Sequence, residues 1–191
     1  MKRLILLMCG VLCMFAVEAQ ERTVRAFEVE VGAGLSFGSA KFKEMLNLKN
    51  RVGETAFVEG RYNFRQIPID LGLRFGGTMF SFDQLKTGET LQDKLKFKSG
   101  YVMGLADVNI FRKSNFSLFA GIGLGYALLG KGYDMSGIES ADDTKSTFCY
   151  MPRVGLELWH HVRLTYSYIG GDEANRHSNL SLGIVFGGGR K

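Results

Sequence analysis

A long alternation of apolar and polar residues is the feature that most constrains this fold. Between Ala26 and Phe37 every odd position is apolar, and the even positions from Glu28 on are charged, small or polar. Side chains of a strand point alternately to opposite faces, so this segment predicts a β-strand with one apolar and one polar face. It is about twice as long as an ordinary strand, and about ten tilted strand residues cross the hydrocarbon core of a bilayer.

Seven further segments repeat this alternation. The predicted strands cover residues 26–37, 55–64, 67–81, 101–111, 116–128, 147–158, 162–168 and 180–186. The connections alternate in length, with long polar ones at 38–53, 83–96, 130–146 and 170–176. This count and rhythm predict an all-β fold, an eight-stranded antiparallel up-and-down transmembrane β-barrel with short turns at one end and long loops at the other. A soluble two-sheet sandwich or lipocalin-like barrel is the alternative.

Arginine and carboxylate side chains dominate the polar face, whereas lysine is nearly absent from it. The charged residues on this face are Glu28, Glu30, Glu59, Arg61, Asp70, Arg74, Asp107, Arg153, Glu157 and Arg163. The forked donors of arginine suit buried pairing with carboxylates, and eight strands enclose an interior that side chains can fill. The sequence therefore predicts a packed polar lumen in which every arginine is compensated, with the pairing undetermined. Met103, Leu105 and Phe119 fall on this face as exceptions.

The first 19 residues have the pattern of a secretory signal peptide. Lys2 and Arg3 form a positive start, residues 4–16 are apolar, and small residues lie at −3 and −1 before Gln20. The apolar run is too short for a transmembrane helix. We therefore expect residues 1–19 to be removed and residues 20–191 to form the outer-membrane β-barrel domain.

Charge and cysteine content argue against a nucleic-acid-binding protein and against a protein stabilised by disulfides. The signal peptide contains two of the 24 basic and one of the 19 acidic residues, so the mature chain carries 22 and 18, a net charge of +4. This mild charge, without a basic cluster between aromatic residues, argues against a nucleic-acid partner. Cys9 and Cys13 leave with the signal peptide, so Cys149 is alone and no intramolecular disulfide can form.

Three glycine-rich stretches carry a resemblance to a known family. They are Gly32-Ala33-Gly34-Leu35-Ser36-Phe37, Gly121-Ile122-Gly123-Leu124-Gly125-Tyr126, and the ending from Leu180 to Lys191. With the signal peptide, the chain resembles the small OmpA/OmpX-like outer-membrane β-barrels, here the porin-like set common in Bacteroidetes. Such barrels usually end on an aromatic residue, whereas five residues follow Phe186.

The resemblance implies location more than activity. It implies the cell outer membrane, with outer-membrane lipids and lipopolysaccharide as neighbours and an extracellular ligand at the long loops. We expect a monomer without a cofactor. Because a few small barrels modify lipid A, the histidines need examination as catalytic candidates. His177 and Ser178, with Asp172 or Glu173 nearby in sequence, could form a lipid-facing nucleophilic set; polar residues of an ordinary loop are the alternative.

The other candidate sites are weaker. His160 and His161 lie in a turn beside Trp159, where anchoring at the membrane interface is favoured over a metal site. A loop cluster of acids could bind a divalent cation or bridge lipopolysaccharide, with a solvated loop as the alternative. Its members are Glu139, Asp142 and Asp143. Cys149 has no activating neighbour in sequence.

The sequence therefore assigns no catalytic, cofactor-binding or metal residues. It favours a non-enzymatic barrel with a membrane-structural or surface-interaction role through its outer loops. A narrow porin-like channel for small solutes is the alternative, followed by a lipid A-modifying barrel enzyme.

Overall fold

Nine strands and one short helix make up the described part of the chain in a computed structural model. The structure describes residues 25–38, 52–64, 67–84, 93–113, 116–135, 138–139 and 142–187. The strands are β1 Phe27–Gly38, β2 Val52–Asn63, β3 Ile69–Gln84, β4 Asp93–Lys113, β5 Phe116–Met135, β6 Ile138–Glu139, β7 Asp142–Leu158, β8 Val162–Ile169 and β9 His177–Phe186. A 3-10 turn, Glu173–Asn175, precedes β9. The predicted signal peptide lies outside the described residues and stays a prediction.

Eight of these strands close into a barrel. Each pairs antiparallel with its neighbours in the order β4-β3-β2-β1-β9-β8-β7-β5, and pairing of β4 with β5 closes the wall. β6 pairs only two residues of β5 and is not part of the wall. The predicted eight-stranded antiparallel up-and-down barrel is confirmed.

The two ends of the barrel differ. At one end, here called the turn end, β1 begins, β9 ends and β7 joins β8 through residues 159–161. Trp159 and His160 have positive φ angles of 52° and 60°, and His161 N donates to Leu158 O at 3.1 Å. This is a type I′ turn, whose twist matches that of the flanking strands. The opposite end is called the loop end.

Several strands extend further toward the loop end than the alternation predicts. β3 continues to Gln84 and β4 begins at Asp93, while β5 continues to Met135 and β7 begins at Asp142. The predictions of loops at 83–96 and 130–146 were therefore wrong at 83–84, 93–96, 130–135, 138–139 and 142–146, and their other residues lie outside the described part of the chain. Beyond a membrane both faces of a hairpin meet water, so neither face needs to be apolar and the alternation fades.

The outward face of the wall is apolar. Val31, Leu124, Leu182 and Ile184 are between 47% and 56% exposed, although they are large aliphatic side chains. A water-soluble protein rarely exposes so large an apolar surface, whereas an apolar band is what a bilayer contacts. The soluble sandwich alternative is therefore wrong, since it would bury this face. Among the described residues, no helix is long and apolar enough to cross a membrane.

The inside of the barrel is divided along its axis. The half near the turn end holds the charged residues predicted for the lumen, which we call the charged layer: Glu28, Glu30, Glu59, Arg61, Asp70, Arg74, Asp107, Arg153, Glu157 and Arg163, all buried. The half near the loop end holds an apolar layer: Phe80, Tyr101, Met103, Leu105, Ala127, Leu129, Cys149, Met151 and Ile169. Buried polar side chains on β1, β2 and β9 lie at the same end, among them Ser36, Thr55, His177 and Asn179. The predicted polar lumen is thus correct except for the apolar layer, to which Met103 and Leu105 belong.

Candidate functional site

The charged layer is the chemically richest part of the described chain. Its members come from six wall strands, β1, β2, β3, β4, β7 and β8, because alternate residues of each strand point inward. All of them are at most 5% exposed. An isolated charge in such a place is unfavourable, so the pairing of these groups decides whether the barrel is stable.

Glu59 is the centre of the charged layer. Arg153 donates to both of its oxygens, with Nη1–Oε2 at 2.6 Å and Nη2–Oε1 at 2.9 Å. Arg74 Nη1 lies 3.5 Å from Oε2, and Arg61 also donates to Oε1. The bidentate arrangement with Arg153 is the strongest geometry that a carboxylate and an arginine adopt.

Two arginines extend the network across the lumen. Arg153 Nε donates to Asp107 Oδ1 at 2.8 Å, which joins β7 to β4. Arg163 Nη1 donates to Glu30 Oε2 at 2.8 Å, and Arg163 also donates to Glu157. Arg61 Nη2 reaches Glu30 Oε2 at 3.2 Å and so links the two groups. The prediction that all four arginines are compensated by lumen carboxylates is confirmed.

Two aromatic rings complete the charged layer. Phe57 lies under the guanidinium of Arg74, with 3.4 Å between Arg74 Cζ and the ring centroid. Phe119 lies near Arg153 and Arg163, at 5.6 and 5.1 Å. Cation–π contacts of this kind gain strength where water is excluded. Phe119 is an exception to the alternation, and an aromatic residue on an arginine-rich face is the signal that could have predicted this contact.

Glycines provide the room that the long charged side chains require. A Cβ at Gly121 would lie 2.0 Å from Asp107 Oδ1 and 2.5 Å from the carbonyl oxygen of Ala106. A Cβ at Gly183 would lie 2.0 Å from Glu30 Oε1. Neither position can accept a methyl group without movement of the ion pairs, so these glycines are part of the site.

We expect Gly121→Ala to destabilise the barrel by about 1–3 kcal/mol, as overpacking of a filled interior does. Gly60→Ala is the matched control, because a Cβ at Gly60 would meet nothing within 4 Å. That substitution should be neutral or stabilise by up to about 1 kcal/mol, since glycine weakens a strand. Urea unfolding in lipid vesicles measures both free energies. Equal effects at the two positions would show that the lumen is not packed around Gly121.

The predicted nucleophilic set is not assembled. His177 is buried in the lumen, where Nδ1 donates to Asn175 O at 2.7 Å and Nε2 lies 3.2 Å from Thr78 Oγ1. Ser178 is on the opposite face of β9, and Tyr166 Oη donates to its hydroxyl at 3.1 Å. The nucleophilic alternative required His177 to face lipid, and it does not, because β9 begins at this residue and its register turns it inward.

The two acids of that predicted set bond elsewhere. Lys145 Nζ donates to Asp172 Oδ2 at 2.5 Å, and Arg176 Nη1 lies 3.7 Å from Glu173 Oε1. Asp172 and Glu173 therefore pair with basic residues at the loop end, which is what the alternative of an ordinary polar loop predicts.

The two histidines of the turn at residues 159–161 contact neighbouring residues of the barrel. His160 Nδ1 lies 3.6 Å from Glu157 Oε1, and His161 Nδ1 lies 3.2 Å from Val185 O. Trp159 is 61% exposed beside them. Within the described residues, no group of three or more His, Cys, Asp or Glu side chains could hold a metal ion. Cys149 is buried in the apolar layer. The side chains of the predicted acidic cluster, Glu139, Asp142 and Asp143, lie outside the described part of the structure.

Comparison with solved structures supports the architecture. Neisserial surface protein A (NspA) matches with a TM-score of 0.54 and 18% identity, covering 86% of this chain and 98% of its own. Ail of Yersinia pestis, in complex with the heparin analogue sucrose octasulfate, matches with a TM-score of 0.51 and 14% identity, covering 85% of this chain and 100% of its own. At such identities the likeness concerns the fold. Comparison with curated protein sequences gave no match.

Comparison with protein families identifies the sequence itself. The family described as outer membrane protein beta-barrel domain matches residues 7–186, which is most of the chain. The match agrees with the closed barrel, its apolar outer face and its buried charges. The chain therefore belongs to the outer membrane protein β-barrel domain family and is a protein of the cell outer membrane.

Proposed function

We propose that this outer-membrane barrel is non-enzymatic and has a sealed lumen, and that it acts through membrane structure or through surface interaction at its outer loops. The observation that carries the proposal is the filling of the lumen by two successive layers. Arg153, Glu59 and Asp107 join opposite sides of the barrel in the charged layer. Phe80, Met103 and Met151 are at most 1% exposed in the apolar layer.

A solute would have to pass both layers. Ion pairs that bridge the lumen must separate in the first, and apolar side chains must move apart in the second. Barrels with an aqueous channel have about 16 strands or more, whereas about eight strands leave an interior that side chains fill. These facts favour a sealed barrel over the narrow porin-like channel.

Conductance in planar bilayers tests this proposal. We expect refolded protein to give no steady channel openings, because the buried side chains of the charged and apolar layers occupy the lumen. Insertion is verified on the same sample by the mobility shift that barrels show between unheated and heated gel samples. Steady openings of uniform size from inserted protein would overturn the sealed lumen and favour the channel.

The loop end is the part we propose to meet partners. There β3 pairs with β4 and β4 with β5 well beyond the level of His177, which begins β9, so the wall is taller on one side. In this family architecture the long loops face the outside of the cell. We propose lipopolysaccharide and an extracellular ligand as neighbours of this end, with the barrel itself a monomer.

Shortening one loop separates the two roles. In cells lacking the protein, a variant with residues 136–141 replaced by an Asn-Gly turn should restore exclusion of a large antibiotic if the role is structural. If the role is surface interaction, loss of the protein should leave this barrier intact, and the variant should lose the binding of cells to immobilised lipopolysaccharide that the full protein supports. Equal binding by cells with the full protein and cells without it would contradict the interaction role.

A further inference from the structure

Pro152 is an unexpected residue for the wall of a closed barrel. It lies inside β7, and its side chain faces outward. Proline has no N–H to donate, so within sheets it is normally confined to edge strands, strand starts or bulges. A closed barrel has no edge, and backbone groups that face lipid have no water to bond instead. The place where Pro152 interrupts the wall therefore requires an explanation.

The interruption affects the seam between β7 and β8. On the other side of β7 the ladder with β5 passes through Ile122–Pro152 without a break. On the β8 side six consecutive pairs run from Leu158–Val162 to Arg153–Ser167 and then stop. One isolated bridge follows in the same register, where Tyr150 N donates to Gly170 O at 3.1 Å and accepts back at 2.9 Å. The ladder thus skips Pro152 and Met151.

The two sides of this gap are both apolar. Behind it, Met151 and Ile169 are fully buried and belong to the apolar layer, as does Cys149. In front of it, the rings of Tyr150 and Tyr168 lie 6.4 Å apart on the outer surface. The Tyr150 ring also covers Gly170, whose absent Cβ would lie 2.3 Å from it. Two tyrosine rings therefore close the outside of a seam that has apolar side chains directly inside.

We propose that β7 and β8 separate between the Arg153–Ser167 pair and the Tyr150–Gly170 bridge, and that the opening admits one acyl chain of a neighbouring lipid into the apolar layer. The chain would pass between Tyr150 and Tyr168 and displace Met151, whose unbranched side chain adapts to new neighbours more easily than other core residues. An acyl chain fits because the residues directly behind the gap, Met151, Ile169 and Cys149, belong to the apolar layer and carry no charge. This proposal does not depend on the sealed lumen, since the charged layer is untouched.

A photoreactive lipid tests the proposal. The mature chain is refolded into vesicles that contain a phospholipid with a diazirine on its acyl chain, irradiated, and analysed for adducts residue by residue. We expect adducts at the lumen residues Met151 and Ile169 as well as at the lipid-facing Val154, which serves as the internal positive control. In Pro152→Val the lumen adducts should fall about tenfold, since one restored backbone hydrogen bond shifts an opening equilibrium by about that factor. Adducts at position 154 should persist.

Val154→Ile is the matched control variant, because it changes the same face of β7 where pairing with β8 is already complete. It should leave the lumen adducts unchanged. The proposal is wrong if Val154 is labelled and the lumen residues are not, or if Pro152→Val keeps the lumen adducts. It is also wrong if a water-soluble diazirine labels Met151 as well as the lipid does, because that outcome means entry from water. The gel mobility shift verifies that each variant is folded.

Discussion

Arg153→Ala is expected to destabilise the folded barrel by about 3–5 kcal/mol, because it leaves two buried carboxylates without their main partner. Arg153 donates to Glu59 at 2.6 and 2.9 Å and to Asp107 at 2.8 Å. The charged layer already contains six carboxylates for four arginines among the described residues, so loss of one arginine enlarges an existing excess of negative charge. Urea unfolding in lipid vesicles measures the free energy.

A second variant distinguishes charge from packing. Adding Asp107→Asn to Arg153→Ala removes the charge that loses its main partner, at nearly constant volume, and should recover part of the lost stability, whereas Glu59 keeps Arg61 and Arg74. Lys145→Ala is the surface control, because its ion pair with Asp172 is exposed and should contribute less than about 1 kcal/mol. An effect of Arg153→Ala as small as that of Lys145→Ala would show that the charged layer is hydrated or unpaired.

Ile122→Arg is expected to destabilise the barrel by about 2–4 kcal/mol, the usual cost of a cation at the middle of the lipid-facing surface. Ile122 is 47% exposed on β5, between Phe116 toward the turn end and Tyr126 toward the loop end. Aromatic residues mark the two membrane interfaces of such barrels, so a position between them lies near the middle of the hydrocarbon.

Leu128→Arg is the matched control for depth. Leu128 shares the strand and the outward face with Ile122 but lies beyond Tyr126, where an arginine should cost only about 0–1 kcal/mol. The same urea titration in vesicles compares the two. Equal costs at both positions would contradict the depth assignment, and tolerance of arginine at Ile122 would contradict a lipid-facing position for this surface.

The sequence predicts the faces of the strands well because a strand has a strict period of two. Glu59 and Arg74 must point to the side opposite Val58 and Phe75, and a buried position for arginine requires a carboxylate nearby. The alternation cannot show which carboxylate that is. Arg163 meets Glu30 across the junction of β8, β9 and β1, and this contact depends on how the strands are staggered when the barrel closes.

The division of the lumen into two layers was not predicted. Met103 and Leu105 looked like irregularities of one strand, because each strand contributes few residues to the apolar layer. Only the closed barrel brings them together with Phe80, Met151 and Ile169. The same reason explains His177, since its inward position depends on where β9 begins, and a short polar segment gives no periodicity from which that start can be read.

The outward position of the apolar face and the inward position of the polar face are the central claim, and spin-label accessibility along β9 tests them most directly. Single cysteines are placed at each position from Asn179 to Val185 except Gly183, in the mature chain with Cys149→Ala, labelled with a nitroxide and refolded into vesicles. We expect oxygen, which concentrates in lipid, to reach the labels at Leu180, Leu182 and Ile184 more readily than those at Asn179, Ser181 and Val185. A nickel chelate in water should not reach the label at Leu182. Oxygen accessibility without a period of two, or nickel access at Leu182, would contradict the transmembrane barrel described here.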